Sequence, residues 1–504
     1  MTTTRHGSPG SAGAIASAAV AASGLTVSPF TSWQYARCPL LRLPCHKTGS
    51  ASSGGRKRRT GPAEIALLHI QPVLFWWPEY ERHVTADSPD SPAPLIIRVF
   101  NAGLRIIVNH QIPKDASVRY TSRIRTSYAE EHIDMNFEQR MREIRHEPSS
   151  DAPGDPERLR RIALTKTEMM TQGEAISATL AANAEHLALI GGELANRSIR
   201  KIAIVGCGDS WIAGIAVRHA MERLLGAAAE PCEAFDFATY GLEVIDADTV
   251  VIGLSSSGKT RPVIDGLKGA AARGAYAIGL SNTLGSPLME EFQVALHIRA
   301  TRAGWPTQSS TAAMALMLAL TASVGDARGA DASALRTALE ELPGQVDAVA
   351  QRFYGPAQEV ARRLARADLV LLTGAGPYLA AAVVGSAKLG VLAPIHAYAL
   401  QLEEYQHYRT QKAGDPLFLI APDRASHIRA LETAIMSRGI GGFCVALVPE
   451  GETEISEVAD VAWHLPEVAE ETRPVVYCVP LHLFGYHAAV ERDAIGLGAP
   501  RLGG

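Results

Sequence analysis

The sequence predicts an α/β fold: two tandem three-layer αβα units, each on a mainly parallel sheet, preceded by a poorly structured N-terminal extension. Three observations predict it. Short apolar runs alternate with helical stretches of about ten to fifteen residues, the pattern of strands covered on both faces. The alternation is traversed twice in succession, which implies a duplicated unit. Several apolar runs end in turns rich in glycine and hydroxyls, and open α/β sheets bind ligands at the carboxyl ends of their strands.

The first unit is read as residues 161–328. A helical lead-in from Thr165 to Leu194 precedes the apolar run KIAIVGCGDS from Lys201 to Ser210. Trp211 to Leu225 then has helical character, and Pro231 to Gly241 has no assigned element. Thr249 to Thr260 is a strand running into a hydroxyl-rich turn, followed by a helix from Arg261 to Gly274, a strand from Ala275 to Asn282 and an apolar run from Val294 to Ala300. The turn-rich stretch from Val324 to Asp331 marks the boundary. The second unit, 329–504, repeats the cycle. A helix from Ala332 to Ala365 leads into the strand ADLVLLTGAGP, a helix from Tyr378 to Leu392, and strands from Pro394 to Leu400 and Pro416 to Pro422. A helix from Ser426 to Gly439, strands from Phe443 and from Val461, and a terminal helix from Val475 to Ile495 complete it.

Residues 1–134 read as a low-complexity, disordered extension whose place in the native protein is open, with a basic cluster Arg56–Arg59 read as solvated charge. The runs between Glu64 and Ile112 keep no sustained period, so a few strands is the most they suggest. Residues 135–160 read as a polar leader, and Met135 is the expected biological start. Ala14 to Leu25 is broken by Ser and Gly and reads as low complexity rather than as an export signal.

With 47% hydrophobic and 20% charged residues and a formal net charge of −4, nothing points to a nucleic-acid-binding surface. No uninterrupted apolar run reaches the ~20 residues of a membrane span. The six scattered cysteines form neither a C-x-x-C nor a Cys/His metal spacing, so the expectation is a reduced cytoplasm, without structural zinc or a disulfide framework.

The most informative turn is LSSSGKT, in which Ser255, Ser256, Ser257 and Thr260 offer four hydroxyls around Gly258, with Lys259 adding a cation. Placed between a strand and a helix start, such a turn holds a phosphate dianion with hydroxyls and helix-end N–H groups. Helix capping alone would account for one hydroxyl, not four. The turn Gly206–Ser210 also follows a strand, but Trp211 replaces the third glycine of a dinucleotide fingerprint. Thr307, Gln308, Ser309, Ser310 and Thr311 precede an apolar helix and read equally well as a plain N-cap or as a third ligand loop.

GCGDSWIAG, LSSSGKT and AGWPTQSSTAAM together resemble the sugar-phosphate site of sugar isomerase (SIS) domains, and the resemblance extends from Lys166 to Arg501. It is to the isomerase half of glutamine:fructose-6-phosphate amidotransferase and to related tandem-SIS deaminases and deglycases. The resemblance implies that Ser255, Ser257 and Thr260 grip phosphate with Ser256 beside them, and that Cys207, Gly208, Ser210 and Ser310 line the sugar. The tract KLGVLAPIHAYALQLEEYQHYRT is similar to that family's long helix and catalytic loop, which places His407 on the ring-opening histidine, supplied across a dimer interface.

Two departures stand out. Where the family's isomerases carry a glutamate for proton transfer, this chain has Val391; and the terminal Pro500 and Arg501 are not followed by the family's lysine. The N-terminal segment does not resemble a glutaminase. The expected function is therefore isomerisation or deamination of a hexose or amino-hexose 6-phosphate, with His407 opening the ring and Glu404 or Glu403 as the replacement base. The alternative is a non-catalytic sugar-phosphate sensor. Neither cofactor nor metal is expected, and the partners expected are the sugar phosphate and a second copy of the chain, with no nucleic acid and no membrane.

Overall fold

The computed structural model describes residues 155–497 and, as backbone, the strands β1 (Tyr80–Val84), β2 (Leu95–Phe100) and β3 (Gly103–Ile106). These three form an antiparallel sheet in the order β1–β2–β3, in the stretch where the sequence suggested a few strands. The remaining expectations for residues 1–134, the greater part of the 135–160 leader, and Pro500 and Arg501 lie outside the described residues.

The rest of the chain carries two five-stranded parallel sheets. The first uses β4 (Lys201–Gly206), β5 (Ala228–Glu233), β6 (Thr249–Leu254), β7 (Tyr276–Ser281) and β8 (Ala295–His297) in the order β5–β4–β6–β7–β8. The second uses β9 (Leu369–Gly374), β10 (His396–Gln401), β11 (Pro416–Ile420), β12 (Phe443–Pro449) and β13 (Val461–Leu465) in the order β10–β9–β11–β12–β13. The strand order is the same in both. In each, the second strand lies outside the first, so the order reverses between the first and third strands, which is where open α/β sheets form their ligand crevice.

Helices α1 (Pro156–Met169), α2 (Gln172–Leu194), α3 (Asp209–Leu225), α4 (Arg261–Ala271), α5 (Gln308–Ala327) and α6 (Ser333–Arg363) accompany the first sheet and lead to the second. Around the second sheet lie α7 (Leu379–Leu392), α8 (Leu402–Tyr408), α9 (His427–Gly439) and α10 (Arg473–Ala494). The two-residue period of the strands sets the layers. In β6, Val250, Ile252 and Leu254 join one large core while Val251 faces a second; in β11, Phe418 and Ile420 join the large core while Leu417 and Leu419 face a third. The large core is shared by both sheets through α5 and α10. The hydropathy of α5 would suit a membrane span, yet it is largely buried against α2 and α3, as the core helix of a globular unit is.

Four expectations are corrected. Gln308, Ser309, Ser310 and Thr311, expected to precede a helix, lie in the first turn of α5, which begins at Gln308. The lead-in helix is two helices, broken at Met170–Thr171, and the first begins inside the stretch read as a polar leader, where Asp155 caps it by accepting from the N–H groups of Glu157 (2.8 Å) and Arg158 (3.1 Å). The stretch Ala228–Glu233 is a strand that the sequence reading passed over; Pro231, which cannot donate to a ladder, is tolerated because β5 is an edge strand. The polar EEYQHYR stretch is the short helix α8, not a loop, held by burial of Leu402 and Tyr405 on one face.

Candidate functional site

The crevice of the first sheet lies between β4 and β6, which run in register with Val205 opposite Gly253. Their carboxyl ends carry the two turns singled out above. After β6, the hydroxyls of Ser255, Ser257 and Thr260 converge: Ser255 Oγ is 2.8 Å from Thr260 Oγ1 and 3.4 Å from Ser257 Oγ. Ser256 departs from the group and donates to Asn282 Oδ1 at 2.7 Å. The loop is pinned from behind, since Ser281 and Thr283 both donate to the Ser256 carbonyl, at 3.3 and 3.1 Å. Gly258 is required there: its φ is +63°, and a Cβ would sit 1.9 Å from Ser286 Oγ. Lys259 is exposed. Thr260 makes no side-chain capping bond to α4, so its hydroxyl remains with the cluster.

After β4, Gly208 adopts φ +56° and starts α3 at Asp209. Cys207 donates to Glu233 Oε1 at 3.1 Å, and burial first, then that carboxylate, push its thiol up to about 11. It is therefore a neutral thiol rather than a nucleophile. Ser210 is half-buried in the first turn of α3. Ser310, in the first turn of α5, donates to Asp209 Oδ2 at 2.9 Å.

A buried ion pair at this site was not evident from the sequence. Lys388 on α7 reaches across from the second unit and places Nζ 2.5 Å from the same Asp209 Oδ2, with the lysine side chain 2% exposed and the aspartate 18%. A signal existed, for Lys388 is the only charged residue in the apolar α7. Beside it, Gln172 Oε1 accepts from Thr311 (3.2 Å) and lies 3.1 Å from His482 Nδ1. Burial, with Lys388 second, pushes His482 down to about 3, so it is neutral. Among the described residues, Thr307 Oγ1 and His482 Nε2 are buried without a partner.

The segment leading into α5 is held from behind by Glu168 of α1, which accepts from Thr301 Oγ1 (2.8 Å), Ala303 N (2.6 Å) and Gly304 N (3.2 Å). The residues expected to catalyse lie on the second unit. On α8, His407 is exposed with its ring 5.9 Å from that of Tyr408, and Glu404 is half-buried. Glu403 gives both carboxylate oxygens to Arg429, with Nε at 2.6 Å from Oε2, and this hydrogen-bonded pair holds it below the usual carboxylate range. Val391 lies one turn beyond Lys388 on α7. Among the described residues no group of three His, Cys, Asp or Glu side chains could hold a metal ion.

Residues 196–324 match the SIS domain family. A glutamine–fructose-6-phosphate aminotransferase (isomerizing) of Pyrobaculum aerophilum is 27% identical over 300 residues, covering 58% of this chain and 49% of that protein. One from Symbiobacterium thermophilum is 29% identical over 312 residues, 59% of this chain and 50% of that protein. The chain thus spans about half the length of the curated relatives it matches. Among solved structures, the C-terminal domain of glucosamine-fructose-6-phosphate aminotransferase from Francisella tularensis superposes with a TM-score of 0.58 at 20% identity, covering 65% of this chain and 96% of that one, which is a likeness of fold.

Proposed function

We propose, for a chain whose residues 196–324 are a SIS domain and which resembles the isomerase half of glutamine–fructose-6-phosphate aminotransferase, that it binds a hexose or amino-hexose 6-phosphate and catalyses aldose–ketose isomerisation or the related loss of ammonia. The observation that carries this reading is the convergence of the Ser255, Ser257 and Thr260 hydroxyls at the crevice of the first sheet. Each hydroxyl can turn its proton toward a phosphate oxygen, and the start of α4 adds the positive end of a helix dipole. Cys207, Gly208, Ser210 and Ser310 would then face the sugar, with Ser256 held aside on Asn282.

Ring opening requires one proton to leave the anomeric hydroxyl and one to arrive on the ring oxygen. An imidazole has one nitrogen that can accept a proton and one that can donate one, which suits the exposed His407. Because His407 stands on the second unit's outer helix, the reading includes a homodimer in which a second copy presents it. Glu403 is engaged by Arg429, which leaves Glu404 as the carboxylate of that pair open to act as base at C1–C2. Acid–base groups alone suffice for this chemistry. The free thiols of Cys207, Cys232, Cys444 and Cys478 are compatible with a cytoplasmic setting.

The test is a thermal-shift series with glucose, fructose and glucosamine 6-phosphates against the same sugars without phosphate, followed by NMR detection of turnover. A ligand at about 100 times its Kd stabilises by ~2.7 kcal/mol. The expected result is stabilisation by the phosphorylated sugars only, abolished in Ser255→Ala/Ser257→Ala, and turnover reduced in His407→Ala. No stabilisation by any sugar phosphate would refute the reading, whereas binding without turnover would identify a sensor.

A further inference from the structure

Isomerisation needs a base at the C1–C2 end of the sugar, and Val391 cannot be one. The residue at the head of the first loop can. Asp209 is the first residue of α3 and follows β4 directly. Since β4 and β6 run in register, their carboxyl ends are separated by about one strand spacing, ~4.8 Å. Asp209 therefore stands at one lip of the crevice and the phosphate loop at the other.

Its two oxygens are used unequally. Lys388 Nζ (2.5 Å) and Ser310 Oγ (2.9 Å) both fall on Oδ2, while Oδ1 has no partner among the described residues. The ammonium that fixes this carboxylate is itself almost fully buried, an arrangement whose desolvation cost an apolar pair would avoid. One oxygen held by two donors and the other open is the geometry of an oriented base.

We infer that Asp209 carries the proton between C1 and C2, with Lys388 and Ser310 as its positioning residues. The inference rests on the phosphosugar reading above and replaces Glu404 in it. In the aldose-to-ketose direction Oδ1 takes the proton from C2. The C2–H electron pair becomes the C1=C2 bond, and the carbonyl pair moves to O1, which takes a proton from water. The enediol then loses the O2 proton to water, C2=O2 forms, and the C1=C2 pair takes the proton back from Asp209 at C1. Nothing is oxidised or reduced overall.

The experiment is hydrogen–deuterium exchange from D2O into C1 of fructose 6-phosphate and C2 of glucose 6-phosphate, read by NMR on the full chain. Binding of sorbitol 6-phosphate, which has no acidic C–H, is measured in parallel by thermal shift. Asp209→Asn is expected to lower the exchange kcat by about 10²–10⁴-fold with KM and sorbitol 6-phosphate binding little changed, and Asp209→Glu to recover part of the rate. Should Asp209→Asn not fold, the charge-matched Asp209→Asn/Lys388→Met variant decides in its place. Exchange at the wild-type rate in the Asn variant, or exchange lost in Glu404→Gln but kept in Asp209→Asn, overturns the inference and leaves the phosphosugar reading standing. So does a wild-type chain that binds sorbitol 6-phosphate but catalyses no exchange, or a folded Asn variant that loses binding together with exchange. A wild-type chain that binds no sugar phosphate overturns both.

Discussion

Removing the carboxylate of Asp209 strands the most deeply buried ammonium of the site, and the consequence can be sized. The Lys388 side chain is 2% exposed and has Asp209 as its hydrogen-bonding partner, so Asp209→Ala leaves an uncompensated interior charge, which costs about 3–5 kcal/mol. The reverse deletion is milder. In Lys388→Met the aspartate, 18% exposed, keeps the Ser310 bond and some access to water, so about 1–3 kcal/mol is expected. Domains of 150–250 residues lose roughly 2–4 °C per kcal/mol, and larger ones less, so Asp209→Ala should melt roughly 5–10 °C below wild type. Differential scanning calorimetry at pH 7 should place Asp209→Ala lowest, Lys388→Met between, and Asp209→Asn/Lys388→Met nearest the wild type, because the double change removes both charges. An Asp209→Ala protein that melts with the wild type, or a double variant below both single ones, would refute the ion-pair reasoning.

Gly258→Ala forces a side chain into φ +63° and into Ser286 Oγ 1.9 Å away; a cost of about 2–4 kcal/mol and weakened sugar-phosphate stabilisation are expected, measured by thermal shift with and without ligand. Glu168→Gln loses part of the acceptor that holds Thr301, Ala303 and Gly304; amide exchange at Ala303 and Gly304 should accelerate, with about 1–3 kcal/mol lost in urea titration. His482 is neutral in the fold down to about pH 3, whereas the unfolded chain takes up a proton near 6.5; its contribution is therefore complete above pH 6.5 and drains below it, by up to ~1.4 kcal/mol per pH unit. Urea titrations at pH 7 and 5 should show this acid loss reduced in His482→Leu. Glu403→Gln breaks an ion pair that stands in solvent, so its melting temperature should match the wild type.

The fold was legible where a strand is buried on both faces. TVVIGL and PLFLI announce themselves because a parallel sheet between helices tolerates no polar face. The edge strand Ala228–Glu233, half-exposed and carrying Pro231, offers no such run and was passed over. The helical break at Met170–Thr171 was hidden for a different reason: helical periodicity continues through it, while Glu168 is bonded to the segment before α5 and Gln172 lies against His482 of α10. The hydroxyl cluster was legible because several hydroxyls in one turn exceed what capping needs. Asp209 and Lys388 were not, since a lone aspartate after a glycine reads as a helix start and the pair lies 179 residues apart along the chain.

The identical strand order of the two sheets raises the question of why only one crevice is equipped. At the second sheet's reversal, between β9 and β11, the turns read Ala375–Gly376–Pro377–Tyr378 and Pro422–Asp423–Arg424, without a hydroxyl cluster. There Tyr378 is 1% exposed with its ring 6.2 Å from that of Tyr477, Asp423 is spent on the N–H and hydroxyl of Ser426, and Arg473 reaches the Pro422 carbonyl at 3.4 Å. Side chains take up the place proposed for the ligand in the first unit. The helix that follows β9, α7, nevertheless sends Lys388 to Asp209 and turns the second unit into a support for the first unit's crevice. A duplicated fold need not keep two sites. Once one copy's crevice is filled by its own aromatic and arginine side chains, its neighbouring helix is free to supply the charge that orients a carboxylate in the other, and the shared core of α5 and α10 fixes that distance.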